Sequence, residues 1–161
     1  MPPALRRVNG VLDSTIVGNH RYPQEGSCVR QRLPLPLTRR RAWIASVLWM
    51  AAIFGFSSIP GSSVPGGLGA YAHFGVYALL GALLFVAFSH DTDGPGRAIA
   101  LAVLIASVYG VTDELHQAFV PGRVPDVADW GMDTLGALAG ALLALAALRT
   151  LARLRDGTPG A

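Results

Sequence analysis

Lysine is absent from this chain: all thirteen of its basic residues are arginines. Charge of either sign is scarce too, at 14% of 161 residues against 52% hydrophobic, a balance that excludes an ordinary soluble domain. The single cysteine, Cys28, excludes an internal disulfide and a cysteine-bound metal cluster. HExxH, GxSxG and the Walker A pattern do not occur, which leaves zincin, α/β-hydrolase and P-loop chemistry without support. The GGLGA run at 66–70 is too short and badly placed for a nucleotide loop. The net charge of +3 comes from arginines beside apolar segments. It is read as membrane orientation, with no nucleic acid as partner.

What the chain has in quantity is apolar length. Four segments, 42–59, 72–89, 98–120 and 127–148, approach the about 17 to 25 residues that a bilayer crossing needs. They predict an all-α fold, an integral membrane four-helix bundle. Residues 1–41, rich in Arg, Pro and Gly without a sustained period, read as a disordered leader. Residues 42–148 read as the four-span membrane domain and 149–161 as a short basic tail. Because the apolar architecture begins only at Ala42, an over-extended gene start is one reading of the leader. Three arginines before AWIASVLWMAAIFGFSS also resemble a secretory signal, but that run is long for one and belongs to a series of spans.

Eight arginines precede the first segment, Arg97 follows the second, and Arg149, Arg153 and Arg155 follow the fourth. The other side holds Arg123 alone. Short cytoplasmic loops retain arginine. Both termini are therefore predicted cytoplasmic in a multi-pass protein of the cytoplasmic (inner) membrane.

Against this background the acids of the last two segments stand out. The run YGVTDELHQAFVPGR supplies Asp113, Glu114, His116 and Gln117, and VPDVADWGMDTLGALAG supplies Asp126, Asp129 and Asp133. A charge at the centre of a spanning helix costs about 2.5 to 3.5 kcal/mol, so such residues are functional candidates by default. Helical spacing places Tyr109, Asp113, His116, Gln117 and Val120 on one stripe, with Glu114 about a quarter turn away. Asp126, Asp129, Asp133, Gly136 and Gly140 form a second stripe, acidic outside and glycine-lined inside. The second segment offers a matching stripe of His73, Tyr77 and Gly81. Turned inward, these faces make a polar vestibule at the external end of the bundle.

Plainer roles stand beside these. Asp126 and Asp129 precede an apolar helix body and suit an N-cap and its dipole. Tyr77 and Tyr109 suit a core or an interface. Gly136 and Gly140 form a GxxxG that lets a helix of this chain, or of a second copy in a helix-mediated oligomer, approach closely. Arg123, alone between two acidic groups, can clamp a protein carboxylate or the phosphate of a bound lipid.

These residues resemble the VanZ-like membrane proteins, a family named for a teicoplanin-resistance accessory protein. The resemblance covers roughly 42–148 and rests on FSSIPG, on HFGVY and above all on YGVTDELHQAFVPGRVPDVADWGMDTLGALAG. Two departures matter. Relatives often carry Asp-Lys shortly before the histidine of the second span, where this chain has Gly69, Ala70, Tyr71 and Ala72, and often Asn in place of Asp133. The resemblance implies an envelope role and an association with glycopeptide susceptibility.

Three functional readings follow. In the first, the vestibule handles a membrane lipid or cell-wall precursor lipid, bound by His73, Tyr77, Gln117, Arg123, Asp126, Asp129 and Asp133. In the second, an intramembrane hydrolase or transferase uses Asp113 or Glu114 as base with His116 as partner. In the third, the polar residues only lock the helices of a scaffold. A metal variant of the second would draw on His73, His116 and a carboxylate. Their spacing crosses helices, and neither metal nor other cofactor is assigned.

Overall fold

The structure is a computed structural model that describes residues 33–63 and 69–157. Four helices follow one another: α1 (Arg39–Ser57), α2 (Gly69–Ser89), α3 (Pro95–Gln117) and α4 (Val127–Asp156), with a 3₁₀ turn at Gly61–Ser63. Each expected apolar segment becomes a helix. Local chemistry sets the boundaries: Pro95 opens α3 at its first turn, where its missing N–H costs nothing. Asp126 caps α4 by accepting the Ala128 N–H through Oδ1 at 2.8 Å. α4 runs two turns beyond the expected end, to Asp156, with Gly157 as its C-cap.

The disorder expected of residues 1–41 does not extend to 33–41. Arg39, Arg40 and Arg41 form the first turn of α1, and Leu33, Leu35 and Leu37 of the LPLPL run pack against the core. The His90 ring and the Leu37 carbonyl, 3.0 Å apart, hold this stretch to the α2–α3 connection. Residues 1–32, with Cys28, lie outside the described residues.

Packing rests on small residues. α2 touches each of the other three helices, α1 also meets α3, and α3 meets α4. On α3, Ala98, Ala102 and Ala106 are fully buried at four-residue spacing, the ridge that lets helices close up. Between α2 and α4 the backbones nearly touch. A Cβ on Gly136 would collide with the Phe74 carbonyl, one on Gly140 with Ala78, and one on Gly81 with Ala137. The GxxxG of α4 is therefore covered within the chain, by α2.

Outward-facing side chains are apolar, among them Leu48, Leu104, Val108, Leu115 and Leu143, all more than half exposed. Helices that are apolar all round suit a bilayer. Among the described residues, Tyr71–Ser89, Pro95–Gln117 and Val127–Asp156 are long and apolar enough to cross one. α1 falls short of the same measure because three of its 19 residues are its leading arginines. The remainder makes roughly 24 Å of helix at 1.5 Å per residue, below a hydrocarbon core of about 30 Å.

Candidate functional site

The end of the bundle where α1 and α3 finish and α2 and α4 begin gathers the polar residues. Two loops are pinned together there. The Gly61 N–H donates to the Pro121 carbonyl at 3.0 Å, and a side chain on Gly61 would collide with Gly122. Gly122 itself has φ +75°, a conformation that glycine adopts without strain. This junction sets Arg123, whose Nε donates to the Ile59 carbonyl at 3.1 Å. The FSSIPG and VPGR motifs, some sixty residues apart, thus build one feature.

Arg123 borders a cleft of about 400 Å³ walled by Ile53, Phe56, Ile59 and Val76, with Ser57, His73, Tyr77, Asp113 and Gln117 as its polar lining. Asp113 is buried and holds α3 to α1 through Ser57, whose hydroxyl donates to Oδ1 at 2.5 Å. Gln117 donates to the other oxygen over a long 3.5 Å. Tyr77 is 1% exposed, and its hydroxyl finds no partner among the described residues.

A second group lies between α2, α3 and α4. Asp133 is fully buried; its Oδ1 stands 2.9 Å from His73 Nδ1. The other face of that imidazole, Nε2, is 3.9 Å from Asp129 Oδ2. Room for the Asp133 carboxylate exists because α3 has Gly110 opposite: a Cβ there would stand 2.9 Å from Oδ2. Glu114 turns from the Asp113 cleft, as its offset on the helix predicts, and lines a cleft of about 300 Å³ with Pro125 and Trp130. Its Oε2 accepts the Asp126 N–H at 2.8 Å, which secures the first turn of α4. Glu114 Oε1 and Asp133 Oδ2 remain without a hydrogen-bond partner among the described residues. Unpaired buried polar atoms are costly, and each such atom calls for an explanation.

The structure therefore divides the sequence candidates among three places. His73, Glu114 and Asp133 converge, with Asp129 behind the histidine. Asp113, Gln117, Tyr77 and Arg123 line the first cleft, which His73 also reaches. His116 goes elsewhere: its Nε2 lies 3.0 Å from the Ser58 hydroxyl, and its ring stacks on Phe54 at 4.2 Å. No hydrogen bond among the described residues joins it to Asp113 or Glu114, so the acid–histidine pairing of the enzyme reading has no direct contact here. Asp126 acts as an N-cap. Ser57, Ser58 and Gly110 are the residues that sequence reasoning misses. Ser57 lines the first cleft and Ser58 meets His116; both lie inside FSSIPG, and that motif was the available signal.

The VanZ/LLP1 family matches residues 20–149, which takes in α1, α2, α3 and all but the last turns of α4. Neither the curated proteins nor the solved structures offer a match. The match spans most of its length, and three of the helices among the described residues suit a bilayer: this chain belongs to the VanZ/LLP1 family of membrane proteins.

Proposed function

We propose that the Arg123 cleft receives the anionic headgroup of a membrane amphiphile, with a cell-envelope lipid such as a cell-wall precursor as the ligand class. The observation that carries this reading is Arg123 itself. Its Nε is spent on Ile59, no described residue takes a hydrogen bond from its two terminal nitrogens, and it borders a cleft with apolar walls. A guanidinium fork held in that way suits a phosphate, while Ile53, Phe56 and Val76 suit an acyl or polyprenyl chain. Tyr77 and Gln117 supply donors for the rest of the headgroup. Altered handling of surface precursors would connect such a protein to glycopeptide susceptibility, as the family's name suggests.

Arg123→Ala is expected to weaken binding of an anionic lipid by about tenfold, since charged hydrogen bonds contribute about 1.5 to 3 kcal/mol and about 1.4 kcal/mol is tenfold. Titration of phosphatidylglycerol vesicles against protein in nanodiscs reads this directly, with phosphatidylcholine as the neutral control. Equal affinity of variant and parent for the anionic lipid removes the clamp.

On the same reading all four helices cross the inner membrane, α1 with help from its leading arginines, and the cleft opens away from the cytoplasm. Arg39, Arg97, Arg149, Arg153 and Arg155 lie toward the opposite end, as retention of arginine on the cytoplasmic side requires. In a Cys28→Ser, Arg123→Cys protein, an impermeant maleimide added to spheroplasts is expected to label position 123. Labelling only after lysis reverses the orientation.

A further inference from the structure

His73, Glu114 and Asp133 each present a ligand atom, and these atoms lie within 4.8 Å of one another. Three points so spaced have a common centre within roughly 2.8 Å, a short contraction from zinc–ligand distances of about 2.0 to 2.2 Å. Two carboxylates brought together inside an apolar bundle repel one another and are poorly solvated. Glu114 Oε1 and Asp133 Oδ2 lack hydrogen-bond partners among the described residues, although the two residues are only 8% and 0% exposed.

We infer that His73, Glu114 and Asp133 form a site for one divalent transition cation, zinc or manganese. An imidazole nitrogen with two carboxylate oxygens is a donor set suited to either ion. The ion takes the position between His73 Nδ1 and Asp133, which are 2.9 Å apart. As Nδ1 becomes a ligand, the neutral imidazole carries its single proton on Nε2, and any second proton leaves to solvent, as metal binding to histidine requires. Nε2 keeps its proton and donates it toward Asp129 Oδ2, now 3.9 Å away, the outer carboxylate that metal-bound histidines ordinarily have. Glu114 is already oriented, because its Oε2 is held by the Asp126 N–H. The two acids balance the charge of the ion. Three protein ligands leave a coordination position for water or for a ligand oxygen. His116, one of the ligands a sequence-based metal reading would choose, belongs to the Ser58 contact instead.

The site shares His73 with the Arg123 cleft but takes no ligand from Arg123, and Arg123→Ala is expected to keep its ion. The test uses the full chain purified in detergent, stripped by chelator and dialysed against zinc or manganese, with metal content measured by mass spectrometry. About one ion per chain is expected for the parent protein, and for Asp93→Asn at the far end of the bundle. Glu114→Gln and Asp133→Asn are expected to lose it, while Asp129→Asn is expected to bind about 10- to 100-fold more weakly. Melting curves with and without metal accompany each variant, since the ion should raise the Tm of the parent and leave the two ligand variants unmoved. Should those variants aggregate, the visible spectrum of cobalt bound to the parent decides. Bands that zinc displaces support the site, and their absence overturns it. A folded parent that takes up no ion of either kind overturns the inference, as does uptake by both ligand variants equal to the parent's.

Discussion

Replacing His73 by alanine is expected to destabilise the protein by about 3 to 5 kcal/mol, the range for removing one partner of a buried charged pair. The reason is what remains behind. Asp133 is fully buried, its Oδ2 is already unpartnered, and the substitution takes from Oδ1 the imidazole 2.9 Å away. Gly110 and the tight α2–α4 contact leave that carboxylate no path to solvent. The double variant His73→Ala, Asp133→Asn should recover part of the loss, because an amide left without its partner costs far less than a carboxylate. Unfolding in mixed micelles measures the four corners of the cycle. Losses that simply add would show that the two side chains do not interact.

Gly140→Leu is expected to cost about 3 kcal/mol or more, beyond the usual overpacking range of about 1 to 3 kcal/mol. Even the first atom of a side chain there would meet the Ala78 carbonyl, and backbone cannot rotate aside as a side chain does. The helices would have to part, and with them His73 and Asp133, so the variant should lose both stability and the shape of the site. Gly75→Ala on α2 is the internal control, since nothing lies within 4 Å of a Cβ at that position. It should be neutral or slightly stabilising, given the about 1 kcal/mol by which alanine exceeds glycine in a helix. Equal melting temperatures for Gly140→Leu and the parent would mean that α2 and α4 are not in backbone contact.

That contact was legible in the sequence because it depends on periodicity within single helices. Steps of three and four from Asp126 to Gly140 define one face, and the stripe of His73, Tyr77 and Gly81 lies against it: His73 meets Asp133, while Gly81 meets Ala137, the neighbour of Gly136. The four helices were legible for the same reason. What spacing cannot give is the rotation of one helix against another. Asp113 and Glu114, neighbours in the chain, therefore serve different clefts, and His116 turns to Ser58 although it shares a sequence stripe with Asp113. The junction of Gly61 with Gly122 was hidden too. Each glycine reads as an ordinary turn residue until the fold brings the two loops together. The order of Leu33, Leu35 and Leu37 depends on a core surface formed by distant residues, so composition alone gave disorder there.

In the proposed function, Arg123 and its polar neighbours hold an anionic lipid in their cleft. Native mass spectrometry of the parent and of Arg123→Ala, purified gently from the same membranes, tests this most directly. The parent should carry an anionic envelope lipid at near-stoichiometric occupancy, and the variant, equally folded, should arrive without it. Two lipid-free proteins, or the same lipid at the same occupancy on both, would mean that Arg123 holds no lipid.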